Sequence, residues 1–247
     1  MKISIITATL NRESTILRSQ LSVKKQTYDD IQSVIVDGGS KDKSVKKVER
    51  LLTSNDILLS EPDKGIYDAL NKGINVSKGE VIGFLHSDDF YYDKHVIKNV
   101  MNLFMSQDID IVYGNVSFFY PNNPKKIIRI YRSKELCKKN LAWGLMPAHP
   151  AIFIKKKIYE KIGLFNSSYK IAGDYEFLCR LVMNYKYTAK FIPRVMVNMQ
   201  MGGISTRSFK NSYILNKETF RAISNNGIYT NIFMLLSKYF IKIREFY

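Results

Sequence analysis

Short apolar runs alternate with helical segments through the first 114 residues, and this alternation limits the fold more than any other feature of the chain. Such a pattern is typical of βαβ units, in which parallel strands form a sheet covered by helices. We therefore predict the α/β class, with a mostly parallel sheet flanked by helices. The predicted strands are Lys2–Ala8, Ser33–Val36, Ile57–Leu59, Val81–Leu85 and Ile109–Tyr113. The predicted helices are Ser14–Gln26, Lys43–Leu52, Gly65–Val76 and Lys94–Met105.

The pattern changes after Gly114. The turn-forming sequence Pro121-Asn122-Asn123-Pro124 separates two apolar runs, which predicts a hairpin. Asn225-Asn226-Gly227 is a helix stop and parts two C-terminal helices. The strands predicted in this half are Val116–Tyr120, Ile127–Tyr131, Ala189–Ile192 and Val195–Met199. The helices predicted there are Lys156–Ile162, Asp174–Asn184, Ser212–Ser224 and Ile228–Phe246.

The net charge of +16 is distributed unevenly along the chain. Residues 1–123 contain 15 basic and 16 acidic side chains, whereas residues 124–185 contain 13 and 4, and residues 186–247 contain 10 and 2. Such asymmetry indicates a polyanionic partner, either nucleic acid or an anionic membrane. A basic surface that serves only solubility explains the charge equally well.

Cysteine usage and hydropathy limit the cellular setting. Cys137 and Cys179 are the only cysteines, which excludes a disulfide framework and fits a reducing cytoplasm. No apolar run approaches the roughly 18 residues of a membrane-spanning helix, and the N-terminus lacks the pattern of a signal peptide. We therefore expect a cytoplasmic location.

Polar clusters follow three of the predicted strands directly. These clusters are Thr7-Ala8-Thr9, Asp37-Gly38-Gly39-Ser40 and His86-Ser87-Asp88-Asp89. Ligands of open α/β sheets bind at the carboxyl ends of the strands, so the three clusters mark the expected binding edge. The chain has neither a Walker A sequence nor Gly-x-Gly-x-x-Gly, so the signatures of P-loop and Rossmann cofactor sites are missing.

Asp88-Asp89 carries the strongest chemical signal. Two adjacent carboxylates at the end of an apolar strand repel each other and resist burial, and a divalent cation offsets both effects. Mg²⁺ or Mn²⁺ at such a pair usually bridges to substrate phosphates. The alternative is a solvated turn with an N-cap for the helix that begins near Asp93.

Three further segments are weaker candidates. Asp63 could contact a nucleotide and Lys64 a phosphate, although both residues also fit a capped turn after Pro62. Asp174 begins a predicted helix, where an acidic residue is ordinary. His149 lies between two prolines and is rigidly presented, but a single histidine is more often structural.

In combination, the motifs resemble the family 2 glycosyltransferases with the GT-A fold. The resemblance extends over residues 1–205. The particular residues within the motifs are similar to those of the subgroup that builds bacterial O-antigen, capsule or exopolysaccharide units. The matching segments are Ile3–Arg12, Val34–Asp42, Ser60–Gly73, Gly79–Asp89, Ala148–Phe153, Gly163–Phe165 and Gly173–Phe177.

The resemblance implies a role for each matching residue. Asp88 would bind Mn²⁺ or Mg²⁺ on the donor diphosphate, with Asp89 near the donor as a possible second ligand. Asp174 would be the general base that deprotonates the acceptor hydroxyl, and His149 would lie near the donor phosphate or the acceptor. The implied donor-nucleotide site consists of Thr7, Ala8, Thr9, Asn11, Arg12, Asp37, Gly39, Asp63, Lys64, Ser87 and Asp88. His86 occupies the first position of the family's usual Asp-x-Asp metal motif, which leaves Asp88 as the main ligand.

The implied activity is an inverting transfer of sugar from a nucleotide sugar, usually uridine-linked, to a saccharide acceptor carried on a lipid pyrophosphate. One base and no enzyme nucleophile indicate direct displacement. Two other functions compete with this one. A sugar-phosphate nucleotidyltransferase would ordinarily carry a glycine-rich loop after the first strand, where this chain has Thr7–Arg12. A nucleic-acid-binding module would fit the charge, but no RNA- or DNA-binding motif is present, and we expect no nucleic-acid partner.

The resemblance also implies a domain division. We predict a GT-A catalytic domain at 1–205, with a nucleotide-sugar half at 1–114 and an acceptor half at 115–205, followed by basic amphipathic helices at 206–247. Apolar residues recur at helical spacing within Ile228–Phe246, with lysine and arginine around them. A helix of this kind is typical of binding to an anionic membrane surface, here the inner face of the cell membrane. Packing on the catalytic domain or on a second copy is the alternative.

Overall fold

The computed structural model describes residues 1–203 and 208–243, with side chains to Tyr239 in the last helix. The strands are Ile3–Thr9 (β1), Ile31–Asp37 (β2), Ile57–Ser60 (β3), Val81–Phe84 (β4), Phe90–Tyr91 (β5), Ile111–Tyr120 (β6), Asn123–Tyr131 (β7), Ile152–Lys155 (β8) and Ala189–Gln200 (β9). The helices are Ile16–Lys24 (α1), Ser44–Glu49 (α2), Ile66–Val76 (α3), Val96–Ser106 (α4), Lys138–Ala142 (α5), Lys156–Ile162 (α6), Gly173–Asn184 (α7), Phe209–Asn225 (α8) and Ile232–Ile243 (α9). The α/β class predicted from the sequence is confirmed.

All these strands belong to one sheet, in the order β3-β2-β1-β4-β8-β6-β9-β5, with β7 paired to β6. The first four strands of this order are parallel, as predicted. Their register aligns Thr9 with Asp37 and Asp37 with Ser60, so the carboxyl ends of β1, β2 and β3 meet at one edge.

Beyond β4 the pairing is mixed rather than continuously parallel. Strand β8 lies between β4 and β6 and is antiparallel to both. The run predicted at 109–113 belongs to β6, which continues into the predicted hairpin with β7. In this part of the sheet, whether two strands are parallel or antiparallel depends on which strands pair. A short apolar run in the sequence does not indicate with which strand it will pair.

Strand β9 joins the two runs that the sequence predicts as separate strands. It pairs in parallel with β6, and the register shifts where Gly114 faces Ile192 and Asn115 faces Val195. The two residues between them are Pro193 and Arg194. Because proline lacks an N–H for the ladder, the irregularity at this point is expected. The strand continues past it to Gln200 beside the acidic turn.

Alternating side chains place the two larger of three hydrophobic clusters on the two faces of the sheet. Ile6 and Ile82 point to one face and pack with helices α3 and α7, whereas Ile5 and Val81 point to the other face and pack with α4. Helix α3 approaches the sheet closely because residue 73 is glycine. A Cβ on Gly73 would lie only 2.5 Å from Cγ2 of Ile6.

The C-terminal helices pack on the second half of the sheet domain. Helix α8 contacts α7, and α9 contacts α8. Thr230 donates to the carbonyl of Ala142 at 2.7 Å, and Asn231 Oδ1 accepts from Met234 N at 2.9 Å, which starts α9 four residues later than predicted. The predicted boundary at 205/206, the loop residues 204–206 and the C-terminal residues 244–247 lie outside the described residues. Within the described ranges no helix is long and apolar enough to cross a membrane.

Candidate active site

The carboxyl ends of the parallel strands converge on one edge, where the sequence predicts the nucleotide site. Gly38 N donates to Thr9 O at 2.9 Å, and Glu61 N donates to Asp37 O at 3.0 Å. These bonds join the loops after β1, β2 and β3. The predicted residues of all three loops are therefore brought together.

The Asp37 carboxylate organises the loop after β2. It is fully buried, and its Oδ2 accepts from Gly39 N at 3.1 Å, Ser40 N at 2.9 Å and Ser60 Oγ at 2.8 Å. Its Oδ1 accepts from Ser40 Oγ. Each carboxylate oxygen has about two acceptor sites, so Oδ1 is the atom with capacity left for a ligand N–H.

Gly38 permits the loops after β2 and β3 to touch. A Cβ at this position would lie 2.4 Å from Oδ2 of Asp63, so the Asp63 side chain would have to move to make room for it. Asp63 Oδ1 accepts from Gly65 N at 2.9 Å, which fixes the start of α3. Lys64 is exposed beside it. Asp63 and Asp37 thus lie on adjoining loops, as the predicted nucleotide site requires.

The residues after β1 divide between the binding edge and its support. Thr7 Oγ1 is buried and accepts from Gln20 Nε2 at 2.9 Å. Thr9 Oγ1 is also buried, and it has no hydrogen-bond partner in the described part of the chain. Ala8 points to the opposite face and packs against the hydrophobic core. An unpartnered buried hydroxyl is costly, so Thr9 is the residue of this strand end that most needs a ligand.

Asn11 and Arg12 connect the first loop to the second. Asn11 has a left-handed backbone with φ of 51°, and its Oδ1 accepts from Lys41 N at 2.9 Å. Arg12 N donates to Ser44 Oγ at 2.8 Å. Through these bonds the β1 loop and the 40–44 loop form one wall of the site.

Helix α1 supports the acidic turn after β4 through main-chain oxygens. Ser19 Oγ donates to the carbonyl of His86 at 3.0 Å, and the Arg18 guanidinium donates to the carbonyl of Asp88 at 2.8 Å. The guanidinium also lies 5.0 Å from the ring centres of Phe90 and Phe119. Burial lowers the pKa of Arg18, while Asp89 and Asp88 oppose that shift.

The two aspartates of the turn have different environments. Asp89 is buried and its Oδ1 accepts from Gln200 N at 3.0 Å, so it fixes the end of β9. Burial and the neighbouring Asp88 raise the pKa of Asp89 well above its usual range. Asp88 is half-buried and lies closer to solvent, and Ser87, which precedes it, is buried. Asp88 is thus the carboxylate available to a cation.

The donor set suits a cation that is completed by phosphate rather than by protein alone. Among the described residues no cluster of three His, Cys, Asp or Glu side chains could enclose a metal ion. Mg²⁺ and Mn²⁺ commonly take one or two carboxylates and fill their remaining positions with substrate phosphate and water. One accessible aspartate fits that kind of binding.

Asp174 lies in the first turn of α7, on the wall of a small apolar cavity. The cavity is also lined by Phe84, His149 and Phe165. Asp174 Oδ1 accepts from Tyr175 N at 2.9 Å and lies 3.1 Å from the Tyr67 hydroxyl. Burial raises the pKa of Asp174 to about 6, against the lowering effect of these hydrogen bonds. A pKa near 6 suits a general base that works at neutral pH.

His149 lies between the acidic turn and Asp174. Its ring stacks on Phe84 with centres 4.7 Å apart and lies 5.8 Å from the ring of His86. Burial and His86 lower the pKa of His149 to about 3, so the ring is neutral. Its Nε2 is buried and finds no partner among the residues that the structure describes. His149 thus presents a free ring nitrogen near Asp174.

Several residues that shape the site are not among the predicted site residues, although Tyr67 lies in the matching segment Ser60–Gly73. Arg18, Tyr67, Gln200 and Glu218 support the candidate residues through hydrogen bonds with Asp88, Asp174, Asp89 and the 170–172 loop. A second sequence signal concerns Glu218, which is one of two acidic residues after position 185. Acidic residues are so rare in this basic stretch that Glu218 indicates a specific contact.

The model of the family described as "Glycosyl transferase family 2" matches residues 4–163, from β1 into the end of α6. The chain belongs to glycosyl transferase family 2. It is therefore a glycosyltransferase. This family membership favours sugar transfer over the two alternatives, a nucleotidyltransferase and a nucleic-acid-binding module.

Curated relatives of this glycosyltransferase share about a quarter of its residues. A PGL/p-HBAD biosynthesis glycosyltransferase of Mycobacterium bovis is 28% identical over 212 residues, which span 82% of this chain and 78% of that protein. An uncharacterized glycosyltransferase of Methanocaldococcus jannaschii is 26% identical over 198 residues, which span 75% of this chain and 66% of that protein.

Solved structures establish the GT-A fold. S. aureus TarS 1-349 in complex with UDP-GlcNAc has a TM-score of 0.70 at 19% identity, covering 93% of this chain and 68% of that one. The mannosyltransferase PcManGT from Pyrobaculum calidifontis, in complex with GDP-Man and Mn²⁺, has a TM-score of 0.64 at 16% identity, covering 89% and 64%. The fold implied by the sequence motifs is confirmed.

Proposed function

We propose that the protein is an inverting glycosyltransferase that uses a UDP-linked sugar and a divalent cation. The observation that carries the proposal is the position of Asp174. Its carboxylate lines the cavity that also holds Phe84, the last residue of the strand that leads to Asp88. The candidate proton acceptor, Asp174, therefore lies at the carboxyl end of β4, and the same strand leads into the turn that contains Asp88.

Asp174 has the environment that a general base needs. Its apolar surroundings keep its pKa near 6, so it is ionised at neutral pH yet basic enough to accept a proton from an acceptor hydroxyl. The hydroxyl oxygen then attacks the anomeric carbon as the bond to the diphosphate breaks. A single displacement inverts that carbon, so an α-linked donor gives a β-linked product.

The departing diphosphate requires positive charge. Asp88 would hold Mn²⁺ or Mg²⁺, which acts as a Lewis acid on the phosphate oxygens when bound. Arg18 keeps the main chain of Asp88 in place. We assign Asp89 to fixing Gln200 and β9, because its carboxylate is buried and already accepts a hydrogen bond.

The nucleoside is assigned to the edge formed by β1, β2 and β3. Thr9 Oγ1 has no partner in the described part of the chain, Asp37 Oδ1 accepts one hydrogen bond from Ser40 Oγ, and Asp63 closes the adjoining loop. Such groups match the N–H and carbonyl pattern of a uracil ring. The TarS complex contains UDP-GlcNAc and the PcManGT complex contains GDP-Man, so the choice of base is open to a direct test.

The acceptor is proposed to be a saccharide carried by a lipid pyrophosphate at an anionic membrane, in bacterial surface-polysaccharide synthesis. The C-terminal helix pair, α8 and α9, supports this part of the proposal. Phe209 is 98% exposed and Phe233 is 81% exposed. Further exposed apolar residues on these helices and the loop between them are Tyr213, Phe220, Tyr229, Ile232 and Leu236. Such a surface fits the acyl and headgroup boundary of a bilayer.

Charge on the same helices favours an anionic surface. Lys210, Lys217 and Arg221 are exposed on α8, and each basic residue near an anionic leaflet contributes about 1 kcal/mol to binding. The alternative occupant is a second copy of the chain, which would bury the apolar residues without a requirement for anionic lipid.

A screen of nucleotide sugars tests the enzymatic proposal. Purified protein is incubated with UDP-, GDP- and dTDP-linked sugars, with Mn²⁺, Mg²⁺ or EDTA, and release of nucleoside diphosphate is measured, with water taking the sugar in place of the acceptor hydroxyl. We expect release from a UDP-sugar in the presence of a divalent cation and loss of release in EDTA. Asp174→Asn should reduce turnover at least about a hundredfold while UDP binding persists. Near-normal turnover of that variant would show that another group is the base.

A further inference from the structure

Glu218 on α8 connects the C-terminal helix pair to the loop that carries Asp174. Glu218 is buried, and its carboxylate accepts three main-chain N–H groups. Oε1 accepts from Lys170 N at 2.8 Å, and Oε2 accepts from Ile171 N and Ala172 N, both at 2.9 Å. The 170–172 segment directly precedes α7, so the three donors are held as a unit by a residue 46 or more positions away along the chain.

The 170–172 segment positions Asp174 in two ways, through the chain that leads into α7 and through the Tyr67 hydroxyl. The Ile171 carbonyl accepts from the Tyr67 hydroxyl at 2.6 Å, and the same hydroxyl lies 3.1 Å from Asp174 Oδ1. Glu218, the 170–172 segment, Tyr67 and Asp174 therefore form one connected network. A shift of the segment would move both the base and the group that hydrogen-bonds to it.

Glu218 also acts on Asp174 through its charge. Among the influences on Asp174, the negative charge of Glu218 raises the pKa of the base, in addition to the larger effect of burial. The other titratable groups near Asp174 are Tyr67, Tyr175 and the cavity residues Tyr159 and His149. Burial raises the pKa of the three tyrosines and lowers that of His149, so all four are neutral at assay pH.

From this geometry we infer that Glu218 is a positioning residue for the acceptor-side base, so that α8 is part of the catalytic unit rather than an appendage to it. This inference rests on the proposed role of Asp174. It extends the functional site, which already passes the family-matched residues 4–163 at Asp174, into the C-terminal helix pair. It also makes one helix responsible for two tasks, since α8 presents exposed Phe209 and Tyr213 on one side and Glu218 on the other.

The test compares Glu218→Gln with Glu218→Asp. Glutamine keeps the length of the side chain and removes its charge, whereas aspartate keeps the charge and shortens the reach to the three N–H groups. Glu160→Gln is the matched control, because it makes the same substitution at an exposed site on α6. The measurements are Mn²⁺-dependent UDP release across pH 5–8, UDP affinity, and hydrogen exchange of the 170–172 amides by mass spectrometry.

We expect both Glu218 variants to reduce kcat about tenfold to a hundredfold with unchanged UDP affinity, because small displacements of a catalytic group have effects of that size. The 170–172 amides should exchange faster in both. In Glu218→Gln the acid limb of kcat/KM should move to lower pH, since the charge that raises the pKa of Asp174 is gone. In Glu218→Asp that limb should stay where it is in the wild type. Glu160→Gln should match the wild type throughout.

Two results would overturn the inference. One is a Glu218→Gln enzyme with wild-type kcat and an unmoved acid limb. The other is a variant that melts at a lower temperature but keeps the kcat and acid limb of the wild type, which would show a structural role alone. If Glu218→Gln does not fold, the kcat of Glu218→Asp tests the inference instead, and a wild-type kcat in that variant would overturn it. A wild-type protein that releases no nucleoside diphosphate, or an active Asp174→Asn, would instead refute the proposed function, and amide exchange would still report on the contact.

Discussion

The Tyr67 hydroxyl lies 3.1 Å from Asp174 Oδ1 and 2.6 Å from the Ile171 carbonyl, so one phenol serves both the candidate base and the segment that precedes it. The hydroxyl has a single proton to share between these two acceptors. Helix α3 thereby contributes to the acceptor side of the site, although its motif adjoins the nucleotide side. The relationship determines how Asp174 should titrate.

Activity should fall in acid because Asp174 must be unprotonated to accept a proton. Burial raises the pKa of Asp174 to about 6, so kcat/KM should rise with pH through that value and level off above it. The measurement is UDP release at saturating Mn²⁺ from pH 5 to 8. UDP affinity over the same range serves as the control for donor binding. A profile that stays flat down to pH 5 would contradict the assignment of the base.

Tyr67→Phe should move this acid limb to higher pH. The hydrogen bond from the hydroxyl lowers the pKa of Asp174, so its removal raises that pKa and protonates the base at a higher pH. The shift is opposite in direction to the one expected for Glu218→Gln. Tyr120→Phe is the matched control, since that tyrosine is exposed at the end of β6. An unchanged limb in Tyr67→Phe would show that the hydroxyl does not bond to the base.

The first four strands, the helices between them and the binding edge could be predicted from the sequence, because they follow from local patterns, whereas β5, α5 and β8 were not predicted. Strands β1 to β4 and the polar residues at their ends were predictable from apolar periodicity and from the rule that ligands bind at carboxyl strand ends. The position of β8 between β4 and β6 was not, since nothing in a four-residue apolar run specifies its neighbours.

The supporting residues could not be predicted for a related reason. Arg18 and Glu218 bind main-chain atoms of Asp88 and of the 170–172 segment, which lie 70 and about 47 positions away along the chain. Every residue has the same main-chain N–H and C=O groups, apart from proline, so a side chain that binds them does not require a particular residue type at the partner position. Such a contact therefore leaves no recognisable pair of residues in the sequence. The role of such residues is visible only once the fold brings the segments together.

Arg18→Met should weaken both the fold and the response to metal. The variant removes the bond to the Asp88 carbonyl and leaves Asp89 without its nearby positive charge. Loss of a charged hydrogen-bond donor costs about 2 kcal/mol, which corresponds to a decrease in Tm of about 4–8 °C. The Mn²⁺ concentration for half-maximal activity should also rise.

Lys98→Met is the control for Arg18→Met, because Lys98 is an exposed cation on α4. Melting curves and Mn²⁺ titrations of the two variants separate the local contact from a general change in net charge. If Tm and the Mn²⁺ requirement shift equally in both variants, the effect comes from net charge alone. That result would contradict the inference that Arg18 supports the acidic turn.

Binding to anionic vesicles should depend on the exposed face of α9. Phe233 and Leu236 are 81% and 44% exposed, and glutamate at both positions opposes apolar insertion and attraction to anionic lipid. We expect the wild type to float with phosphatidylglycerol vesicles, less so in high salt, and Phe233→Glu/Leu236→Glu to remain in solution. Met105→Glu is the control, because Met105 is exposed on α4, away from the C-terminal helix pair. Equal flotation of the double variant and the wild type would contradict this membrane surface. Wild-type dimers that the double variant disrupts, without vesicle binding, would assign the face to a second copy.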